Sequence, residues 1–525
     1  MHRLLITLLL ASTIGCGNDT KAELPSAADR FPRLTHVQWE STVKDLFRLP
    51  EDSGLSASFT PDPQLGRFDN NIARLGVTQG LWRDYQQAAE SIAGRVVTDD
   101  TLYATLAVTD ARSFVTSFGA RAFRRPLTPA EVDRYVTLFD SAGPVFPQHD
   151  ATKAGVRLVV QGMLQSPFFL YRTELSYAKD GMGMPLTSYE VASRLSYLFW
   201  NTMPDDELFA AAQAGELADE EGVRRAASRM FDDARTRAQF RRFHFQAFKI
   251  SEYADLDKSM TAFPGWRREI GTMMQEEALR FVESIVAHDG GVSDLLTSTK
   301  AYVNADLAKI YGLQGSFGPQ YVEVELDPSI RAGLLTRAGF LARNATLDEP
   351  DPIHRGVFIN LGILCRNITA PPNIPDMLDK TGNTNREKVT SVTGVGTCGE
   401  NCHHTIINPL GFAFENFDAI GGYRTADHGF PIDAAATYHF VDGREISYNG
   451  AVELSRELAK SPEVHACYSR QLLEFMLGRD LQLLDSSVVR DMANHSLDKT
   501  SIKDLVIDVV TSNTFRSRSF ERSQP

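Results

Sequence analysis

The chain has 525 residues, 43% hydrophobic and 23% charged, which is ordinary globular material too long for one compact core. Its formal charge is −13, and no basic stripe with interleaved aromatics breaks that balance, which argues against nucleic acid as a partner. An anionic body also gives no electrostatic pull toward anionic lipid.

Residues 1–15 read as a bacterial signal peptide. Arg3 is its only charge, an apolar run extends to Ile14, and Gly15 is the small residue before Cys16. The run is shorter than the roughly 20 residues a spanning helix needs. Cleavage before Cys16 would leave that cysteine as an acylated N-terminus, a membrane anchor. Thr13 stands where leucine is usual three residues before the cysteine, so cleavage without lipid is the alternative. Residues 16–30 are small and polar, as a tether would be. The expected location is the cell envelope, membrane-anchored and facing the periplasm or the exterior.

Helical periodicity dominates the chain beyond residue 30. Residues 34–46 carry an apolar stripe behind Thr35 as a cap. A helix ending at Phe123 gives way to a restart in which Thr128 caps, Pro129 takes the first position and Glu131 completes a capping box. Thr187 and Glu190 open the next helix in the same way. Residues 266–285 place Trp266, Ile270, Met273, Ala278, Phe281 and Ile285 at steps of three to five residues, one long amphipathic helix. On it Glu276 and Glu277 read as a solvated face. Residues 348–355 form an acidic, proline-broken loop suited to capping the helix after it. Residues 461–477 form a last helix, stopped by Gly478. Strand signals are few: 321–326 alternates, and 437–441 pairs with 446–448 across Asp442-Gly443. The fold class is mainly α, multi-domain, with one or two small β-hairpins.

Setting Cys16 aside leaves Cys365, Cys398, Cys402 and Cys467. The most pointed segment is Cys398-Gly399-Glu400-Asn401-Cys402-His403-His404. Covalent attachment of haem c uses two thiols and a histidine directly after them, usually as C-x-x-C-H. Here three residues separate the thiols. On a helix that step turns about 400° rather than about 300°, so both spacings keep the sulfurs near one face, given a locally altered backbone that Gly399 would permit. A short Cys398–Cys402 disulfide and a Cys₂His₂ zinc site are the competing readings. Cys365 and Cys467 are either a second disulfide, closing a loop of about 100 residues, or two separate buried thiols. The sequence has no G-x-S-x-G, H-E-x-x-H, Walker loop or dinucleotide fingerprint, and no catalytic residue is nominated.

Several stretches then match one family in order. They are Arg33-Leu34-Thr35 to Leu46-Phe47, Phe118-Gly119-Ala120-Arg121-Ala122-Phe123-Arg124-Arg125-Pro126, Ser166-Pro167-Phe168-Phe169-Leu170-Tyr171-Arg172 and Leu186-Thr187-Ser188-Tyr189-Glu190. Further along the chain come Arg331-Ala332-Gly333-Leu334-Leu335, Pro371-Pro372-Asn373-Ile374-Pro375, Asn408-Pro409-Leu410-Gly411-Phe412, Leu477-Gly478-Arg479 and Ser512-Asn513-Thr514-Phe515-Arg516. The chain resembles an exported bacterial multi-domain family made of domains of unknown function 1587, 1595, 1592, 1588 and 1585, relatives of which accompany planctomycete-type cytochrome c domains. The resemblance implies helical domains over residues 31–100, 108–175 and 185–315, a cytochrome c-like domain over 328–425, and a helical domain over 440–518.

Members usually carry C-x-x-C-H before the N-P-x-G-F stretch. That puts Cys398, Cys402 and His403 in the haem-like position, with His403 as proximal iron ligand. Residues 408–421 would cover the cofactor, with Glu415, Asp418 and Arg424 as polar supports. The expectation is an exported, lipid-anchored redox protein passing electrons to or from a partner. The alternatives are a haem-free envelope lipoprotein binding a polymer or partner protein, and a catabolic enzyme linked to extracellular polysaccharide.

Overall fold

The computed structural model describes residues 31–518 apart from 64–65, 72–74, 176–183, 369–379 and 398. The expected signal peptide, Cys16 and Cys398 lie outside the described residues. The chain is 57% helical, so it is a mainly α protein. Its described strands form four two-stranded antiparallel sheets. Ala435–His439 pairs with Glu445–Asn449, the hairpin expected around Asp442-Gly443. Val322–Glu325 is a strand as its alternation predicts, and its partner is Lys300–Val303. No helix among the described residues is long and apolar enough to cross a membrane.

Capping chemistry sets the helix starts. Thr35 accepts from Gln38 N–H and Gln38 returns the bond, so His36–Leu46 begins on a capping box. The same reciprocal pair, Thr128 with Glu131, opens Pro129–Asp140, and Thr187 with Glu190 opens Ser188–Phe199. The helix expected from Trp266 begins only at Glu269 and runs Glu269–Ala287; Arg268 precedes it without a side-chain cap. Trp266 is buried in the turn before it. Pro462–Leu477 stops at Gly478, whose φ of 64° is the left-handed conformation that ends helices.

These helices build two apolar cores. The first draws on residues 34–170, with Tyr197 and Met203 reaching in from the next segment. The second gathers Phe68 and residues 186–515. Phe68 crosses between them, its ring 5.8 Å from Phe243 and 5.4 Å from Phe475. A disulfide between Cys365 and Cys467, 102 residues apart, cross-links the second core.

One expectation fails inside that core. Glu277 is not on a solvated face: it is 1% exposed and faces Arg337, equally buried, at 3.4 Å. Glu276 does point outward, where it pairs with Arg241 and with Arg280. The helix is therefore covered on the side that the apolar pattern left open, because Arg337 arrives from a segment 60 residues away.

Candidate functional site

Residues Glu400–Ile407 form a π-helix that continues into the α-helix Asn408–Phe412. Cys402 and His403 N–H both donate to the Gly399 carbonyl, at 3.2 and 2.7 Å, and Asn408 N–H closes a five-residue step on His403 O. A π-turn holds more residues per turn than an α-turn and is common at functional sites. The five-residue step follows His403, whereas the turn from Gly399 to His403 closes with three- and four-residue steps. Gly399 contributes differently from expectation. Its φ of −83° is ordinary, so its backbone freedom is unused. What matters is its missing side chain, since a Cβ there would stand 3.3 Å from the His403 ring.

Packing holds this turn open. Pro352–Phe358 crosses it at backbone contact: a Cβ on Gly356 would lie 2.1 Å from Ile407 O, and one on Gly411 1.8 Å from Pro352 O. The loop before that helix does cap it, through Asp351 accepting from His354 N–H. A second π-turn, Ile359–Ile363, comes directly after it. Its fully buried Asn360 donates to Gly356 O and to Ile406 O, stapling the two irregular turns together. Replacing Gly356 with alanine should therefore cost about 3 kcal/mol, the upper range for an overpacked core. Thermal unfolding of Gly356→Ala checks this; an unchanged midpoint would refute the backbone contact.

Around the turn, buried polar groups act as supports. Arg355 is fully buried and donates to the carbonyls of Phe414, Phe417, Leu341 and Asp418. Arg424 donates to Asp427 at 2.6 Å and reaches Glu415, which also accepts from Asn385. Burial raises the Glu415 pKa against the pull of Arg355 and Arg424. Asp418 accepts from Ile420 and Gly422 N–H, fixing the turn at Gly421. Glu415, Asp418 and Arg424 thus each bond within the fold.

Cys402 is a half-buried free thiol, and His404 is exposed. His403 is half-buried, and its Nδ1 is buried with no hydrogen-bond partner among the described residues. Desolvation lowers its pKa, keeping the imidazole neutral, the form in which histidine binds metals. An orphaned neutral imidazole beside a free thiol fits the protein side of a thiol-tethered haem. Among the described residues no three His, Cys, Asp or Glu side chains are placed to hold a bare metal ion. The methionines that the sequence offers for an iron's second axial position, were a haem bound, are Met377, Met476 and Met492; Met476 and Met492 are buried in the core, and Met377 lies outside the described residues.

On the far face of Pro352–Phe358 lies an open cleft of about 1160 Å³, whose wall includes His354, Val357, Phe358 and Leu361. Neither Cys402 nor His403 lines it. The sequence did not point to this cleft.

Five family models match the chain in succession, each described as a protein of unknown function: DUF1587 over residues 32–98, DUF1595 over 110–174, DUF1592 over 186–313, DUF1588 over 331–427 and DUF1585 over 443–515. The chain belongs to the multi-domain family that these five domains define in this order. The π-turn lies wholly inside the fourth domain. No curated protein and no solved structure matches the chain.

Proposed function

We propose that this is an exported, lipid-anchored redox protein that carries one haem c on Cys398, Cys402 and His403. The observation that supports it most is the π-turn at Glu400–Ile407, which begins where the motif carries its extra residue. A haem bound there would supply one-electron transfer. Cys398 and Cys402 would tether it, and His403 would ligate the iron as a neutral imidazole. Asn360 bonds the turn directly, at Ile406 O, while Arg355 and the Glu415–Arg424 pair tie down the segment that follows it. Export is the condition for both cysteine pairs, since haem tethering and disulfide formation each take place outside the reducing cytoplasm. The Cys365–Cys467 disulfide is in keeping with that compartment.

The test is expression in a host with cytochrome c maturation, then haem staining of the denatured protein and an absorption spectrum. The expected result is one covalent haem per chain, lost in Cys402→Ser, with the iron's ligand field altered in His403→Ala. A colourless wild-type protein, in a host that matures a control cytochrome, would end this reading.

A further inference from the structure

The cleft behind the π-turn is a composite of four of the five family domains. Arg67 comes from the first, Arg242 and Lys249 from the third, Arg343 and Arg366 from the fourth and Arg470 from the fifth. Those six basic side chains are met in the wall by two carboxylates, Asp69 and Glu252. Asp69 pairs with Arg242 at 2.8 Å; Glu252 pairs with Arg343 and lies 3.9 Å from Lys249. Arg366 is held by Glu463 from outside the wall, at 3.1 Å. Arg67 and Arg470 form no salt bridge among the described residues, and the carboxylate acting on both is Glu474. Counting Glu463 and Glu474 as well, the cationic side still exceeds the acidic. This happens in a chain whose formal charge is −13.

A surplus of guanidinium groups in a concave wall focuses the field on whatever enters. Guanidinium is also the side chain best matched to oxyanions, through two parallel N–H bonds. Between the charges the wall is apolar, with Phe68, Phe245, Phe358 and Leu361. The volume exceeds the roughly 300–1,000 Å³ typical of small-ligand pockets. From this we infer that the cleft is a binding site for an elongated ligand bearing several oxyanion groups, read by Arg67 and Arg470. Arg242, Arg343 and Arg366 are largely neutralised by their carboxylates but are held in place by them, so they offer N–H donors without having to be ordered by the ligand. The site is independent of haem, because Pro352–Phe358 presents Gly356 to the π-turn and His354, Val357 and Phe358 to the cleft.

Calorimetric titration of the whole protein tests it, using inorganic triphosphate and a short oligogalacturonate as probes and a neutral maltooligosaccharide of equal length as control. The expected result is binding of at least one anion that weakens with added salt. It should weaken about tenfold in Arg67→Ala and in Arg470→Ala, the loss of one charge-assisted bond, and not in Arg225→Ala, an exposed arginine outside the cleft. Which anion binds separates phosphate from carboxylate ligands. Both target side chains are exposed, so the variants should keep the wild-type circular dichroism. No binding of either anion at millimolar concentration, equal binding of the neutral oligomer, or an equal loss in Arg225→Ala would overturn the inference. The salt dependence is read on the wild-type protein and needs no variant.

Discussion

Replacing both Cys365 and Cys467 with alanine is expected to destabilise the second core by about 4–5 kcal/mol. The cross-link spans 102 residues, and on the chain-entropy model a loop of that size removes about this much freedom from the unfolded ensemble. The variant also loses the contact of Gln471 Nε2 with Cys467 Sγ at 3.1 Å, whereas the bond of the same amide to Gly362 O at 2.8 Å involves neither sulfur. The measurement is the urea midpoint of the second core's transition, with and without the disulfide. A shift worth less than about 1 kcal/mol would mean that the unfolded chain is already compact across this span.

The second large effect concerns Glu277. Burial pushes its carboxyl up to about 7 from an ordinary 4.5, against the opposing charges of Arg337 and Arg331. The folded state thus holds the proton more tightly than the unfolded chain. The stability this provides is fully present below about pH 4.5 and is lost as pH rises through about 7. A shift of that size is worth about 3 kcal/mol. Glu277→Gln, which mimics the protonated acid, should match the wild type near pH 4.5 and exceed it by up to about 3 kcal/mol at pH 8. If the ion pair with Arg337 governs instead, the variant will be weaker by about 3–5 kcal/mol at every pH where the wild-type glutamate is charged.

Much of the fold was legible because its signals are local. Thr35, Thr128 and Thr187 each state a helix start within four residues, and the structure places the starts there. The hairpin around Asp442-Gly443 is equally self-contained. Where the determinant lies far along the chain, the reading falls short. Glu277 looks solvent-facing until Arg337 is brought to it, and Lys300–Val303 shows as a strand only beside Val322–Glu325. The start at Glu269 was misplaced because no side chain caps it.

The candidate site divides in the same way. Cys398, Cys402 and His403 stand out in the sequence, and so does the need for an unusual backbone between them. The π-turn that begins at Glu400 packs against Gly356 and Asn360, 40 residues or more upstream, and no local pattern announces it. The cleft was invisible for a further reason. Its six basic side chains are scattered between Arg67 and Arg470, and a run of charge along the chain is what a sequence pattern can register.

The disulfide has one more consequence, which is topological. Both the π-turn and the Ala435–His439 hairpin lie between Cys365 and Cys467, so the segment that bears the candidate haem residues is a covalently closed ring. A protease can cut an exposed bond inside that ring, and the two ends will still be held by sulfur. A single nick would leave the site attached to the rest of the molecule; only a second cut, or a reductant, could carry it away.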